Sequence, residues 1–113
     1  MIHVFLDDTR RCPPGFTLAR TAEECLMLLE SAKVGILSLD YELGYGRLNG
    51  MAVVRGMINK GLYPQEVYVH SSSMAGRAEM VRALREAAPP GVVIHDGPMS
   101  ESVLQAAAGR SDD

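Results

Sequence analysis

Gly35-Ile36-Leu37-Ser38-Leu39-Asp40 is an almost unbroken apolar run that stops at an acid, and it follows a segment of a different rhythm. A run this short, rich in aliphatic residues, reads as a buried strand over residues 35–39. Just upstream, Ala22, Cys25, Leu26 and Leu29 recur at i, i+3, i+4 and i+7, the stripe of an amphipathic helix, and Thr21 with Glu24 forms the capping box that opens it. The rest of the chain repeats this alternation. Further strands are predicted over residues 2–6, 66–69 and 91–94, with a weaker one over 16–19. Helical spacing returns over residues 50–60 (Met51, Val54, Ile58), 75–88 (Met80, Leu84, Ala87) and 101–108 (Val103, Leu104, Ala107). Gly61, Pro89-Pro90-Gly91 and Gly97-Pro98 punctuate these elements.

Strands that alternate with helices build right-handed parallel β-α-β units, with the sheet covered on both faces. The expected fold class is therefore α/β, a three-layer arrangement around a parallel five-stranded sheet of order 2-1-3-4-5. One crossover is abnormal. The segment Asp7-Asp8-Thr9-Arg10-Arg11-Cys12-Pro13-Pro14-Gly15 is too short and too rich in proline for a helix, so a loop is expected in place of the first crossover helix. The reading is one domain over residues 1–108 and a short C-terminal tail over 109–113.

Composition narrows the function classes. The 113 residues carry 11 basic and 14 acidic side chains spread along the chain, so no basic stripe marks an extended nucleic-acid footprint. Aromatic residues make up 5% and tryptophan is absent, which removes the usual base-stacking platform; any nucleic-acid partner would be met at an end or a single nucleotide. Cys12 and Cys25 lack metal-ligand spacing and read as free thiols in a reducing compartment. No apolar run approaches the roughly 20 residues of a membrane helix, and the first apolar run meets Asp7 and Asp8, unlike a signal peptide; the expected location is the cytoplasm. Met27, Met51, Met57 and Met80 read as core fillers of helices. Nothing in the sequence excludes a homodimer.

In an open α/β sheet, ligands bind outside the carboxyl ends of the strands where the strand order reverses, here between the first and third strands. The polar residues collect at those ends: Asp7 and Asp8 after the first strand, Asp40 after the third, His70 and Ser71 after the fourth. Carboxylates brought close repel one another and recruit a cation, and an oxygen-rich cluster suits Mg²⁺ or Mn²⁺, with Asp7, Asp8 and Asp40 as ligands. Ser71, His70 and Arg77 could hold or protonate phosphate oxygens, Arg77 from the start of a helix whose N–H groups favour an anion. Each residue also has a plainer reading. Asp7 and Asp8 fit loop-capping turns, His70 a structural hydrogen bond, Ser71-Ser72-Ser73 a turn and helix cap, and Arg77 a solvated helix position. The coincidence with Asp40 favours a site for the two acids. His3 reads as packing inside the first strand, and a His70/His95 acid–base pair is conceivable.

With these residues placed, the sequence resembles the cyclic-phosphate-processing receiver domain family, related to the receiver domains of two-component signalling. The resemblance runs from Val4 to Ala88 and is carried by Phe5-Leu6-Asp7-Asp8-Thr9-Arg10, Pro14-Gly15-Phe16, Arg20-Thr21-Ala22-Glu23-Glu24, Ser38-Leu39-Asp40-Tyr41-Glu42-Leu43-Gly44, and Val69-His70-Ser71 with Gly76-Arg77. It implies a shortened receiver-like, flavodoxin-like fold and activity on cyclic phosphates of nucleotides or RNA ends. Its motif positions match Asp7, Asp8, Asp40, His70, Ser71 and Arg77. The chain departs from it at Tyr41 and Glu42, where a histidine and an aspartate are expected, and at Ser73, often asparagine.

The leading expectation is a metal-assisted phosphoesterase. Asp7, Asp8 and Asp40 hold the ion, His70 exchanges a proton with the leaving oxygen, and Ser71 and Arg77 hold the phosphoryl oxygens. The alternatives are a receiver-type signalling domain phosphorylated on Asp40 and a non-catalytic module that binds a phosphorylated ligand. Against the former, Lys33 and Lys60 are the only lysines, and the fifth strand runs into His95-Asp96-Gly97-Pro98 where ordinary receivers place a lysine.

Overall fold

The computed structural model describes residues 1–109. In chain order the elements are β1 (Ile2–Leu6), β2 (Thr17–Ala19), α1 (Ala22–Ser31), β3 (Val34–Leu39), α2 (Gly50–Lys60), β4 (Glu66–Val69), α3 (Met74–Ala87), β5 (Val93–Ile94) and α4 (Glu101–Gly109). All strand pairs are parallel, in the order β2-β1-β3-β4-β5. The fold is the expected receiver-like one. Gly109, assigned above to the tail, closes α4, and residues 110–113 lie outside the described residues.

Local chemistry accounts for the element ends. Thr21 caps α1 by accepting the Glu24 N–H at 3.1 Å, and Glu24 reaches back to the Arg20 N–H at 3.3 Å. Asn49 and Ser73 cap α2 and α3 in the same way, accepting from the Met51 and Gly76 N–H groups. β5 is two residues shorter than its apolar run, because Pro89 and Pro90 lead into a turn that Val92 N–H closes onto the Pro89 carbonyl. A register shift between Ile2 and Val4 interrupts the β1–β3 ladder. There the buried His3 accepts the Ile36 N–H through Nδ1 at 3.0 Å, so the imidazole replaces a ladder bond as well as packing.

The two faces of the sheet differ. Val4, Leu6, Leu37, Leu39, Val67 and Val69 point to the face covered by α1, α2 and α3, and with Cys25, Leu29, Val54, Met57, Met80 and Leu84 they form the main core. Met51, Met57 and Met80 are buried as expected, but Met27 is 65% exposed, because it falls on the outer side of α1. The other face carries a small cluster of Ile36, Tyr68 and Ala107, edged by Phe16, Met99 and Val103, and α4 is its only helix among the described residues. No helix forms between β1 and β2. The loop in its place turns at Gly15 (φ 86°) and presses on the end of α4 so closely that a Cβ there would lie 2.5 Å from the Ala107 carbonyl oxygen. No helix of the described residues is long and apolar enough to cross a membrane.

Candidate functional site

The carboxyl ends of β1, β3 and β4 deliver Asp7, Asp40 and His70 to one place. Asp7 and Asp40 are buried, and each of the three residues offers a ligand atom within 4.8 Å of the others. Two carboxylates that close repel by on the order of 3 kcal/mol at an effective dielectric of about 20. The chain supplies its own counter-ion. Arg10 Nη1 lies 2.9 Å from Asp7 Oδ2 and 3.6 Å from Asp40 Oδ2, bridging both acids from the β1–β2 loop.

Asp7 is saturated with donors. Its Oδ1 accepts the backbone N–H groups of Thr9 and Arg10, each at 2.9 Å, which makes it the cap of the loop as well as a site residue. Its Oδ2 accepts from Arg10 Nη1 and is 3.0 Å from His70 Nε2. Burial alone would raise this carboxyl, but the two backbone donors, then the Arg10 and His70 side chains, outweigh it and hold the pKa at about 2. Asp40 moves the other way. Burial first, and the charge of Asp7 second, raise its pKa above the ordinary value against the opposing pull of Arg10, the Tyr41 N–H and the Ser71 hydroxyl.

His70 stacks on Phe5, with ring centroids 4.5 Å apart and planes 4° from parallel, and both of its nitrogens are engaged. Nδ1 is 2.6 Å from the hydroxyl of Ser38, which is fully buried. Since Asp7 is an ionised acceptor, His70 Nε2 carries the hydrogen of that contact and donates. Burial first, and Arg10 as well, lower the imidazole pKa against the hydrogen bond and charge of Asp7, so the ring is neutral and Nδ1 accepts from Ser38. Ser38–His70–Asp7 is therefore a hydrogen-bonded line across three strands. Ser38 was not singled out from the sequence, although strand alternation puts it on the same side of β3 as Asp40.

The other expected residues fall around this centre. Asp8 is outside the close cluster and lines a shallow hollow with Thr9, Arg10, Asp40, Glu42, Gly44 and Ser72. Ser71 is buried, lowers the Asp40 pKa slightly through its hydroxyl and accepts the Ser73 N–H at 3.1 Å. Arg77 does not line the hollow; its Nε is 3.6 Å from Asp96 Oδ1. His95 stacks on Tyr68 with centroids 4.0 Å apart and bonds Glu66 at 3.0 Å, so it shares no partner with His70. Tyr41, in place of the expected histidine, packs half-buried against the core over Gly76. Gly50 lets α2 begin directly against the site: its N–H donates to the Tyr41 carbonyl at 2.7 Å, and a Cβ there would lie 2.1 Å from the Asp40 carbonyl oxygen. Lys60 pairs with Glu30 at the far end of α2.

The donor set fits a divalent ion. Asp7 and Asp40 provide the hard oxygens that Mg²⁺ and Mn²⁺ prefer, and His70, within 4.8 Å of both but with its two ring nitrogens committed to Asp7 and Ser38, stands beside them as a hydrogen-bond donor.

A family model described as "Cyclic-phosphate processing Receiver domain" matches residues 2–86. No curated protein matches the chain. Among solved structures, the receiver domain of the Francisella response regulator 1452 is similar at a TM-score of 0.57 and 14% identity, over 96% of this chain and 91% of that one. The response regulator domain of Thermotoga maritima CheB is similar at 0.53 and 20% identity, over 96% and 89%. At these identities the likeness is one of fold.

Proposed function

Because this chain belongs to the cyclic-phosphate processing receiver domain family, we propose that it is a metal-assisted phosphoesterase acting on the cyclic phosphate of a nucleotide or an RNA end. The observation that carries this reading is the pair of buried carboxylates, Asp7 and Asp40, meeting at the sheet edge beside an open, polar hollow. Asp8, Asp40 and Glu42 line this hollow with Asp7 behind them, against the guanidinium of Arg10 and that of Arg47 beside Gly44, an acidic balance that a further cation would offset for a phosphate. Mg²⁺ or Mn²⁺ held by Asp7 and Asp40, with Asp8 at the rim, would supply that charge and acidify a water molecule for attack on phosphorus.

The chain's own residues have separate tasks in this reading. Asp40, the carboxylate with the raised pKa, orients the attacking water and takes its proton. Ser71, whose single hydroxyl hydrogen faces Asp40, would turn it to a phosphoryl oxygen once an ion takes up the charge of Asp40. Asp40 then passes that proton to the leaving ring oxygen, while His70, which donates to Asp7 and whose tautomer Ser38 fixes, keeps Asp7 in position as a ligand. Arg77 stands at the start of α3, from where it could reach a larger substrate by leaving Asp96. The hollow is open and small, which favours a chain end or a mononucleotide over a long nucleic-acid track.

The test is incubation with Mg²⁺ or Mn²⁺ and a panel of 2′,3′-cyclic and 3′,5′-cyclic nucleotides and cyclic-ended RNA, beside an Asp40→Asn control. Hydrolysis that the control loses is the expected result. No turnover of any substrate by the intact protein overturns the reading and leaves phosphorylation of Asp40, or binding without chemistry, to be distinguished by acetyl phosphate labelling.

A further inference from the structure

Arg10 occupies the position between Asp7 and Asp40 that a bound cation would take, and this has a consequence for ligand binding. We propose that Arg10 is the phosphate-binding arginine of this site, held in reserve on the two carboxylates and released to the ligand when a divalent cation replaces it. The inference rests on the metal-assisted reading above and adds to it the identity of the anion-binding group and the order of events.

Three observations support it. The guanidinium bridges both acids through the same Nη1, so a cation on Asp7 Oδ2 and Asp40 Oδ2 and the bridging guanidinium exclude each other. The Arg10 side chain is 46% exposed although both acids it bridges are buried, so it can turn outward without unpacking the core. Its main chain is anchored independently, because the Arg10 N–H donates to Asp7 Oδ1 whatever the side chain does. A displaced guanidinium therefore stays at the rim of the hollow that Arg10 already lines, where an anion would meet it. Arg77 is paired with Asp96, and neither it nor Arg47, which lies beside Gly44, lines that hollow as Arg10 does. A guanidinium offers the forked donor geometry that suits two phosphate oxygens.

Such exchange makes cation and phosphate binding mutually reinforcing, since the first ligand frees the group that holds the second, and linkage requires the effect to be reciprocal. Titration calorimetry with Mn²⁺ alone, and with inorganic phosphate in the absence and presence of Mn²⁺, tests this on the intact protein and on Arg10→Ala. Removing the competing guanidinium is expected to tighten Mn²⁺ binding by about tenfold, within the range usual for coupled sites. The same variant should bind phosphate about tenfold more weakly when Mn²⁺ is present, and should lose most of the Mn²⁺-dependent gain in phosphate affinity. Arg10→Lys, which keeps the charge without the fork, should restore competition with Mn²⁺ but not full phosphate affinity. Equal or weaker Mn²⁺ binding by folded Arg10→Ala, or phosphate binding in Mn²⁺ that this variant leaves unchanged, overturns this proposal and leaves the metal-assisted reading standing. Absence of Mn²⁺ binding by the intact protein and by Arg10→Ala overturns both.

Discussion

At the scale of single residues, Asp7 and Asp40 are chemically alike but placed in opposite environments. Asp7 sits among donors that favour its charge, whereas Asp40 is buried beside another negative charge. Asp7→Asn would turn an amide N–H₂ toward Arg10 and His70, both donors, and strand them. The expected loss is about 1–3 kcal/mol in the free energy of urea unfolding, the usual cost of an unsatisfied buried polar group. Asp40→Asn removes the less favourable charge and is expected to raise the unfolding midpoint at neutral pH while abolishing the proposed chemistry. A midpoint that fell as far in Asp40→Asn as in Asp7→Asn would contradict this division of roles. The acids at positions 7 and 40 are legible in the sequence because strand ends are legible, whereas Arg10 could be assigned only to a loop able to fold over the site: an arginine in an irregular loop has no periodicity to place its side chain.

Among the elements, the β1–β2 connection matters most for the site. A helix there would cover the sheet face that holds Phe5, Ser38, Tyr68 and His70, and would leave less room for a loop residue such as Arg10 to turn back onto Asp7 and Asp40. The loop relies on Gly15, which adopts a left-handed conformation against the backbone of α4. Gly15→Ala would introduce strain and a clash with the Ala107 carbonyl at once, and is expected to lower stability by about 1–3 kcal/mol. Hydrogen exchange locates the effect: amides of α4 should lose protection before those of α1, α2 and α3, which pack on the other face. The short length and proline content of residues 7–15 were enough to exclude a helix. They could not show that α4 would be the one helix among the described residues to cover this face, or that Gly15 would be the point of contact.

For the whole molecule, the site couples stability to pH. The pKa of His70 is lowered in the folded protein, so the unfolded chain takes up its proton first and stability falls as pH drops through about 6.5. Asp7 is held at about 2 against an ordinary 3.8; its contribution, about 2 kcal/mol, is fully present above 3.8 and is lost as pH falls toward 2. Asp40, with its raised pKa, opposes this second loss over its own range. Urea midpoints measured from pH 7.5 to 5 should therefore decline, and His70→Gln should flatten that decline; an unchanged slope in the variant would exclude His70 as its source. The sequence by itself determined the alternation of strands and helices, the capped start of α1, the strand order and the missing crossover helix, because period, caps and prolines act over a few residues and chain chirality then restricts the topology. Only the tertiary structure decided the partners. Ser38 meets His70 from 32 residues away and His70 meets Asp7 from 63, Arg10 neutralises the acids, Arg77 turns to Asp96, and Met27 faces outward. Such choices depend on which side chains the packed sheet brings within about 3 Å and on how far each is removed from water, and neither quantity is written in local sequence.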